Sequence, residues 1–357
     1  MNPLLEILSI PLVQTILKII FMIMIFAMPL GTLMTLMERK WSAMVQDRVG
    51  PNRANVGNFR GRGLAHIAAD GLKSIFKEDT IPEGSDRFLY LIAPFFGLIA
   101  GVSVFAIVPI AAPIGNFTFQ ITDIDPGLLF IFAITSLSVY GAVLAGASSN
   151  SKFALLGGTR ASAQMISYEI ALGVSIIGVV MVYGTMDLSE LVRAQGQTIG
   201  GWIPFWGIVT QPVAFFVFVT AALAETKRPP FDLPEAESEI IGYFVEYSGM
   251  KFGMFFLTDF LETIMVACVA TTLFLGGWQV PYLQPGDVSN WTFVALGMAS
   301  FSIKVIIFCW VFMQLRWTLP RFRYDQLMTL GWKGLFPIAI ANVIVTAVVL
   351  VFLGEAS

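Results

Sequence analysis

The sequence is short of charge, of histidine and of cysteine, and each shortage excludes a class of protein. Only 13% of its 357 residues are Asp, Glu, Lys or Arg, whereas soluble domains contain about one quarter. The hydrophobic fraction of 56% is too large for a core surrounded by water. The composition therefore indicates lipid as the solvent.

Histidine and cysteine are too few for metal or disulfide chemistry. The single histidine, His66, cannot form a His-rich metal site, and Cys268 and Cys309 stand far apart inside apolar segments. This spacing fits neither a disulfide framework nor a metal-ligand motif. We expect no metal site on this chain, so any metal or flavin chemistry would come from partners.

Eight apolar segments are long enough to cross a hydrocarbon core about 30 Å thick. They lie near residues 12–36, 88–113, 127–148, 163–185, 205–224, 252–276, 292–315 and 335–353. Neither a soluble domain nor an inverted repeat is evident. The sequence thus predicts an all-α integral membrane protein with eight transmembrane helices, in which residues 1–357 form a single membrane domain.

The distribution of basic residues predicts the orientation. The odd-numbered loops between these segments contain 18 of the 21 Lys and Arg residues, and the even-numbered loops contain only Arg193. Because basic loops stay in the cytoplasm, we expect the odd loops on the cytoplasmic side and both termini on the periplasmic side.

The first loop contains an amphipathic segment near residues 63–77. Its apolar residues share one helical face, with Asp70 opposite or at the edge: Leu64, Ile67, Ala68, Leu72, Ile75 and Phe76. The pattern predicts an interfacial helix that lies on the membrane. Such a helix would be either a simple anchor or a flap over an opening for a lipid-like substrate.

The fifth loop concentrates acidic residues between two apolar segments. They are Glu225, Asp232, Glu235, Glu237, Glu239 and Glu246, offset only by Lys227 and Arg228. Asp232 and Glu235 have capping-box spacing, which predicts a helix leading toward Glu246. The loop could be a solvated acidic tract. Its aromatic neighbours favour partial burial instead, where crowded carboxylates exchange protons near neutral pH.

Ionisable residues also occur within the apolar segments, where they are functional hypotheses by default. They are Glu169, Glu225, Asp259, Glu262 and Lys304, with Tyr140 as a hydroxyl partner for Lys304. The pattern favours a carboxylate–lysine proton relay over purely structural ion pairs. The seventh loop adds a cluster that would anchor the membrane edge, dock an acidic partner or hold a carboxylate network: Arg316, Arg321, Arg323 and Asp325.

Several blocks of this sequence resemble the family of the H subunit of bacterial complex I, the proton-pumping NADH:quinone oxidoreductase, whose mitochondrial homologue is NADH dehydrogenase subunit 1. The matching blocks are MERK, RVGPNR, GLAHIAADGLK, SNSKFALLG, AQMISYE, AETKRPPFDLPEAESE, EYSGMKF and PRFRYDQLM. They follow the family's order along essentially the whole chain. The complete PFDLPEAE block is the most specific of them.

The resemblance implies a role for each group of residues. The quinone chamber would be lined or supported by Glu38, Arg39, Arg48, Asp70, Glu235, Glu237, Glu239 and Glu246. The proton relay would comprise Tyr140, Glu169, Glu225, Asp259, Glu262 and Lys304. Bracing of the chamber and of the arm junction would fall to Arg316, Arg321, Arg323 and Asp325. Three features depart from the family pattern. They are His66, the number of residues between Glu239 and Glu246, and Asp259 in place of a longer acid.

The resemblance also implies the substrate and the partners. The substrate would be a quinone, and this chain would bind no cofactor itself. FMN and iron-sulfur clusters, with NADH as the donor, would reside in partner subunits. The partners would be the hydrophilic quinone-module subunits, the small and antiporter-like membrane subunits and membrane lipids, with no nucleic acid.

Two other functions fit parts of the pattern. The membrane subunit of an energy-converting hydrogenase or a related dehydrogenase shares the fold, but the complete PFDLPEAESE block favours the quinone enzyme. A stand-alone ion transporter is disfavoured because no inverted repeat and no matching Gly/Pro-broken segments are evident.

Glu237 offers a test of the acidic loop. We expect Glu237→Gln to slow NADH-driven quinone reduction in the complex while electron transfer to ferricyanide is spared. Equal quinone turnover in the variant and the wild type would remove Glu237 from the chamber.

Overall fold

Helices form nearly all the regular structure of the chain. The computed structural model describes residues 11–55, 61–114, 117–199, 201–234, 242–283 and 289–355. The helices are α1 Pro11–Val45, α2 Ala65–Phe76, α3 Arg87–Ser103, α4 Gly127–Ser148, α5 Lys152–Tyr183, α6 Leu188–Ala194, α7 Gly207–Thr210, α8 Pro212–Glu225, α9 Gly249–Phe274, α10 Asn290–Thr318 and α11 Tyr324–Gly354. A small antiparallel hairpin pairs β1 Thr198–Ile199 with β2 Ile203–Pro204.

Among the residues that the structure describes, seven helices are long and apolar enough to cross a membrane. By length and composition they are α1, α3 with its short 3-10 extension, α4, α5, α9, α10 and α11. The chain is thus a multi-pass α-helical membrane protein. The segment predicted as a span near 205–224 is instead divided at Gln211, whose backbone leaves the helical region between α7 and α8. With 14 residues, α8 is shorter than the roughly 20 that a perpendicular crossing needs, so an eighth span stays a prediction.

Two helices extend well beyond the predicted apolar segments. Helix α1 continues to Val45, although apolar character fades after residue 36, so the charged MERK block is helical. Helix α5 begins at Lys152 rather than near 163. Its first turns contain Gly157 and Gly158, which lower helix propensity but allow close packing against neighbouring backbone. In the first loop, α2 coincides with the predicted amphipathic segment, and its position on the membrane surface stays a prediction.

Helix α9 occupies the centre of the bundle. Every residue from Phe260 to Phe274 is buried, and α9 contacts α1, α2, α3, α6, α8 and α10. A helix that is apolar on all sides is either buried in protein or surrounded by lipid. The burial of this stretch shows that protein surrounds it, so Glu262 is enclosed by the other helices rather than by lipid.

Helices α4 and α5 cross at glycines. A Cβ atom on Gly146 would lie 2.6 Å from the Ala154 carbonyl oxygen, and one on Gly158 would lie 2.9 Å from the Ala142 carbonyl oxygen. Small residues at such crossings let helix backbones approach closely in lipid. This contact places α5, which carries Glu169, directly against α4.

The glycine crossing can be tested with two substitutions in one helix. We expect Gly158→Ala to lower the thermal unfolding temperature of the detergent-solubilised protein, because the new methyl group overlaps the Ala142 carbonyl. Overpacking of this kind costs about 1–3 kcal/mol. Gly173→Ala, also in α5, meets no atom within 4 Å and should leave the temperature unchanged or raise it. A similar effect of both substitutions would show that the crossing tolerates a methyl group.

Candidate functional site

Charged side chains from four parts of the chain meet beside a small cavity. They come from α1, from the segment after α8, from α9, and from the end of α10 with the following turn. We call them the charge network: Glu38, Lys227, Arg228, Asp232, Asp259, Glu262, Arg316 and Arg321. The cavity has a volume of about 120 Å³, and its apolar wall consists of Phe244, Phe252, Phe255, Phe256 and Phe260.

Glu38 lies at the centre of one half of this network. It is 6% exposed, and its carboxylate accepts a hydrogen bond from Arg228 Nη1 at 3.1 Å and forms a second ion pair with Arg316. The Arg228 guanidinium also packs 4.3 Å from the ring centre of Phe260 and donates to Thr263 Oγ1 at 3.2 Å. Glu38 therefore joins α1, α10 and the segment after α8.

Lys227 organises the other half of the network. Its ammonium lies 3.4 Å from Asp259 Oδ1 and 3.9 Å from Glu262 Oε2, and it donates to the Tyr243 hydroxyl at 3.0 Å. Asp259 and Glu262 are three residues apart on α9 and therefore lie on one face of the helix, which allows them to share this partner. With all three groups ionised the trio carries one net negative charge.

Asp232 links the network to the seventh loop. Arg321 Nη2 donates to Asp232 Oδ2 at 3.0 Å, and Asp232 borders the cavity together with Arg316. Burial raises the pKa of Asp232 to about 6, although Arg321 and Arg316 favour the ionised form and act in the opposite direction. Asp232 therefore exchanges a proton closer to neutral pH than an ordinary aspartate.

Other residues assigned to the chamber lie outside the charge network. Arg39 and Asp70 form a partly exposed ion pair at 2.7 Å between α1 and α2, and exposed Arg48 bonds to Gln46 and Ser42. Glu235, Glu237 and Glu239 lie outside the described residues, so their assignment stays a prediction.

The predicted helix toward Glu246 is wrong in the described part of that loop. Residues 242–248 form turns, and Glu246 is half-buried there. Its backbone carbonyl accepts a hydrogen bond from the Tyr90 hydroxyl at 2.8 Å, and the Tyr90 and Tyr247 rings stack beside it. These contacts with α3 hold the loop in place and replace the hydrogen bonds that a continuous helix would supply.

Glu225 borders the network on its inner side. It shares a cavity of about 10 Å³ with Glu262, Thr135 and Ser138, which is the scale of one water molecule. Glu169 on α5 and Glu262 on α9 both lie close enough to act electrostatically on Glu225. Three of the predicted relay acids thus form a connected set that reaches α5.

Lys304 differs from the prediction. Its ammonium donates hydrogen bonds to the carbonyl oxygens of Leu275, Gly277 and Gln279 at 2.7–2.9 Å and lies 4.6 Å from the ring centre of Trp206. These carbonyls belong to the turn that follows α9, where the backbone has left the helix and its oxygens can accept hydrogen bonds from a lysine. All three ammonium hydrogens are therefore used, and Tyr140, which is 58% exposed, is not among the acceptors.

The bracing residues divide into two groups. Arg316 and Arg321 belong to the charge network, as described above. Arg323 and Asp325 form a separate, exposed ion pair at 2.7 Å at the start of α11. Their outward position leaves them available to a partner protein, and a docking role stays a prediction.

Sequence reasoning misses the importance of Lys227, Arg228, Asp232 and Tyr243. By pattern alone Lys227 and Arg228 only offset part of the acidic loop, yet they are 5% and 8% exposed and hold both halves of the network. The available signal is two consecutive basic residues between an apolar helix and Pro229-Pro230. Basic residues at such a position need buried acidic partners.

Among the residues that the structure describes, no cluster of His, Cys, Asp and Glu could hold a metal ion. Cys268 and Cys309 are free and buried in the helix bundle. The charge network thus places paired acids and bases beside an aromatic cavity.

Comparison with known proteins identifies the family. A family model described as NADH dehydrogenase matches residues 17–347. The H subunit of the NADH-quinone oxidoreductase of Bdellovibrio bacteriovorus is 42% identical, with 94% of each chain covered. An H subunit from Cytophaga hutchinsonii is 44% identical over 89% of this chain and 92% of the relative. NADH-quinone oxidoreductase subunit 8 of Rhodothermus marinus is 45% identical over 87% and 89%. The chain therefore belongs to the NADH dehydrogenase family, among the H subunits of NADH-quinone oxidoreductases.

Proposed function

We propose that the chain forms a wall of the quinone-reduction chamber of its complex, connects the hydrophilic and membrane arms, and begins a proton relay. The observation that carries this proposal is the balanced charge network beside the phenylalanine-lined cavity. Its four acids and four bases come from elements distant in sequence. Burying so many charges in one enclosed place costs free energy. Their presence within a membrane protein therefore suggests a function.

The composition of the cavity wall suits a quinone. A quinone head group is a flat ring with two carbonyl oxygens, which matches aromatic side chains on one side and donors such as Arg316 on the other. The described cavity of about 120 Å³ would form part of the chamber, and the neighbouring hydrophilic subunits would complete it. Reduction to quinol takes up two electrons and two protons.

Asp232 is our candidate for a proton donor at this place. It borders the cavity, and its raised pKa keeps a fraction protonated at neutral pH. Donation leaves an aspartate whose charge Arg321 and Arg316 neutralise. The arginines thus stabilise the state that follows proton transfer.

The relay would start at the Lys227 trio. A change of charge at the chamber alters the attraction between Lys227 and its two acids, and one proton can be taken up or released there. From Glu262 the small cavity leads to Glu225, and Glu225 interacts with Glu169 on α5. This route would deliver protons toward the antiporter-like subunits.

The remaining assignments follow from the proposed role. The chain would lie in the bacterial cytoplasmic membrane with its odd loops facing the cytoplasm, where Arg39, Arg48, Asp70, Arg323 and Asp325 would meet the hydrophilic subunits. FMN and the iron-sulfur clusters would be held by those partners, with NADH as the electron donor. This chain would bind no cofactor and would be inactive alone.

The hydrogenase-type alternative receives no support from the relatives, whose names describe NADH-quinone oxidoreductases. The stand-alone transporter has no observation in its favour. Tagging the chain and assaying what is purified with it would separate the three functions. Inhibitor-sensitive NADH:quinone reductase activity in a large particle with flavin supports the proposal, whereas hydrogenase activity or ion transport by the lone chain would contradict it.

Glu38 tests the first half of the network. We expect Glu38→Gln to reduce NADH:quinone activity strongly and to lower the thermal stability of the complex, since Arg228 and Arg316 then face each other without their shared carboxylate. Breaking a buried ion pair costs about 3–5 kcal/mol. NADH:ferricyanide activity measures the electron-entry partners separately and should be retained.

A matched control is available in the same predicted cytoplasmic loop region. Glu83 is exposed, so Glu83→Gln should leave both activities unchanged. Glu38→Gln combined with Arg316→Gln should recover stability, because the charge imbalance becomes smaller. Normal quinone activity in the Glu38→Gln variant would rule out a role for this half of the network.

The raised pKa of Asp232 predicts that the rate of quinone reduction depends on pH. If its carboxylic acid donates a proton, quinone reduction should slow as the pH rises through about 6, because the protonated fraction falls from about one half at pH 6 to about one tenth at pH 7. Asp232→Asn should remove this limb of the pH profile, and Asp232→Glu should restore it at a shifted pH. Steady-state rates from pH 5 to 8 provide the measurement. An unchanged profile in Asp232→Asn would exclude Asp232 as the donor.

A further inference from the structure

An apolar groove opens at the end of the bundle opposite the charge network. Its walls include Leu17, Phe21 and Ile25 from α1, Phe119 from the segment after α3, and Met298 from α10, and its volume is about 550 Å³. Residues 18 and 38 are separated along α1 by about 30 Å at 1.5 Å per residue. The groove therefore lies across the bundle from the proposed quinone site and on the predicted periplasmic side.

Lys18 is the charged residue among the side chains that line the groove, which are apolar apart from Gln14 and Lys18. Its ammonium donates to Thr118 Oγ1 at 3.1 Å and lies 4.8 Å from the ring centre of Phe117. Neither partner carries a charge, and Asp123, an exposed carboxylate of the same loop, acts from beyond ion-pair distance. A lysine at this depth in a membrane protein attracts an anionic group.

The backbone of α1 is unusual where it lines the groove. Residues Phe21–Ala27 form a π-helix, and three of its residues, Phe21, Met22 and Ile25, line the groove. Stretches of π-helix are rare and occur frequently at functional sites. The wider turn redirects the side chains relative to a regular α-helix. Part of the groove is therefore lined by the irregular part of α1.

We propose that this groove binds an anionic phospholipid, with one acyl chain along the apolar wall and the phosphate group at Lys18. The long apolar wall suits a hydrocarbon chain, and the volume lies in the range of small-molecule sites. Leu17 and Ile25 are 46% and 62% exposed, so the groove is open at the surface of this chain. One basic residue at a membrane surface favours an anionic over a zwitterionic lipid. This proposal is independent of the quinone function.

The test uses the purified complex and photoactivatable lipids. Phosphatidylglycerol with a diazirine in one acyl chain is compared with phosphatidylcholine that carries the same chain, and cross-linked peptides are mapped by mass spectrometry. We expect phosphatidylglycerol to label residues 14–25 and 117–119 about fivefold more than phosphatidylcholine, as one basic residue facing an anionic lipid predicts. Lys18→Gln should remove this preference.

Two further variants complete the design. Arg193→Gln removes a basic residue on the same predicted side that lines a different cavity, so the lipid preference should persist. Met298→Trp fills the groove and should reduce labelling by both lipids. Equal labelling by the two lipids, or a preference that survives Lys18→Gln, would overturn the proposal. Cross-links confined to a partner subunit would overturn it too, because protein would then cover the groove.

Discussion

A charge buried among membrane helices must be neutralised by another group nearby, because the desolvation cost is large and water is scarce. In this chain that requirement connects elements far apart in sequence. Glu38 on α1 bonds to Arg228 after α8 and to Arg316 on α10, and Asp232 bonds to Arg321. The relative positions of α1, α9 and α10 at this end of the bundle therefore depend on electrostatic pairing as well as on apolar packing.

The two halves of the network have opposite surpluses of charge. Glu38 faces two arginines, whereas Lys227 faces two carboxylates, and the neighbours Lys227 and Arg228 hold the two halves side by side. The arginine-rich half stays ionised because a guanidinium does not release its proton. In the proposed relay, the acid-rich half would bind or release one proton in response to a charge that appears near Arg316. Such a response is the physical requirement for coupling.

The apolar runs predicted eight spans, and seven of them coincide with helices that are long and apolar enough to cross a membrane. This agreement is expected because a helix in lipid must satisfy every backbone group internally. The shared face of Asp259 and Glu262 also followed from helical spacing. Partners of charged side chains were harder to predict, since they depend on the packing of distant elements. Lys304 illustrates the difficulty: its partners are the carbonyls of Leu275, Gly277 and Gln279, and only the position where α9 ends makes them available.

Two lysines, one beside the middle of α9 and one beside the turn that follows it, have partners that differ in a way that bears on the proposed proton route. Near Asp259 and Glu262 the lysine partner is balanced by carboxylates, which titrate, whereas near Lys304 it is balanced by carbonyls, which do not. Residues 263–274 between them contain no acidic or basic side chain. Glu225 lies to one side and interacts with Glu169 on α5. In the proposed relay, a proton that leaves Glu262 would meet its next carboxylate, Glu225, sideways within the membrane. This arrangement favours a lateral route for the proposed relay over one through α9 toward Lys304.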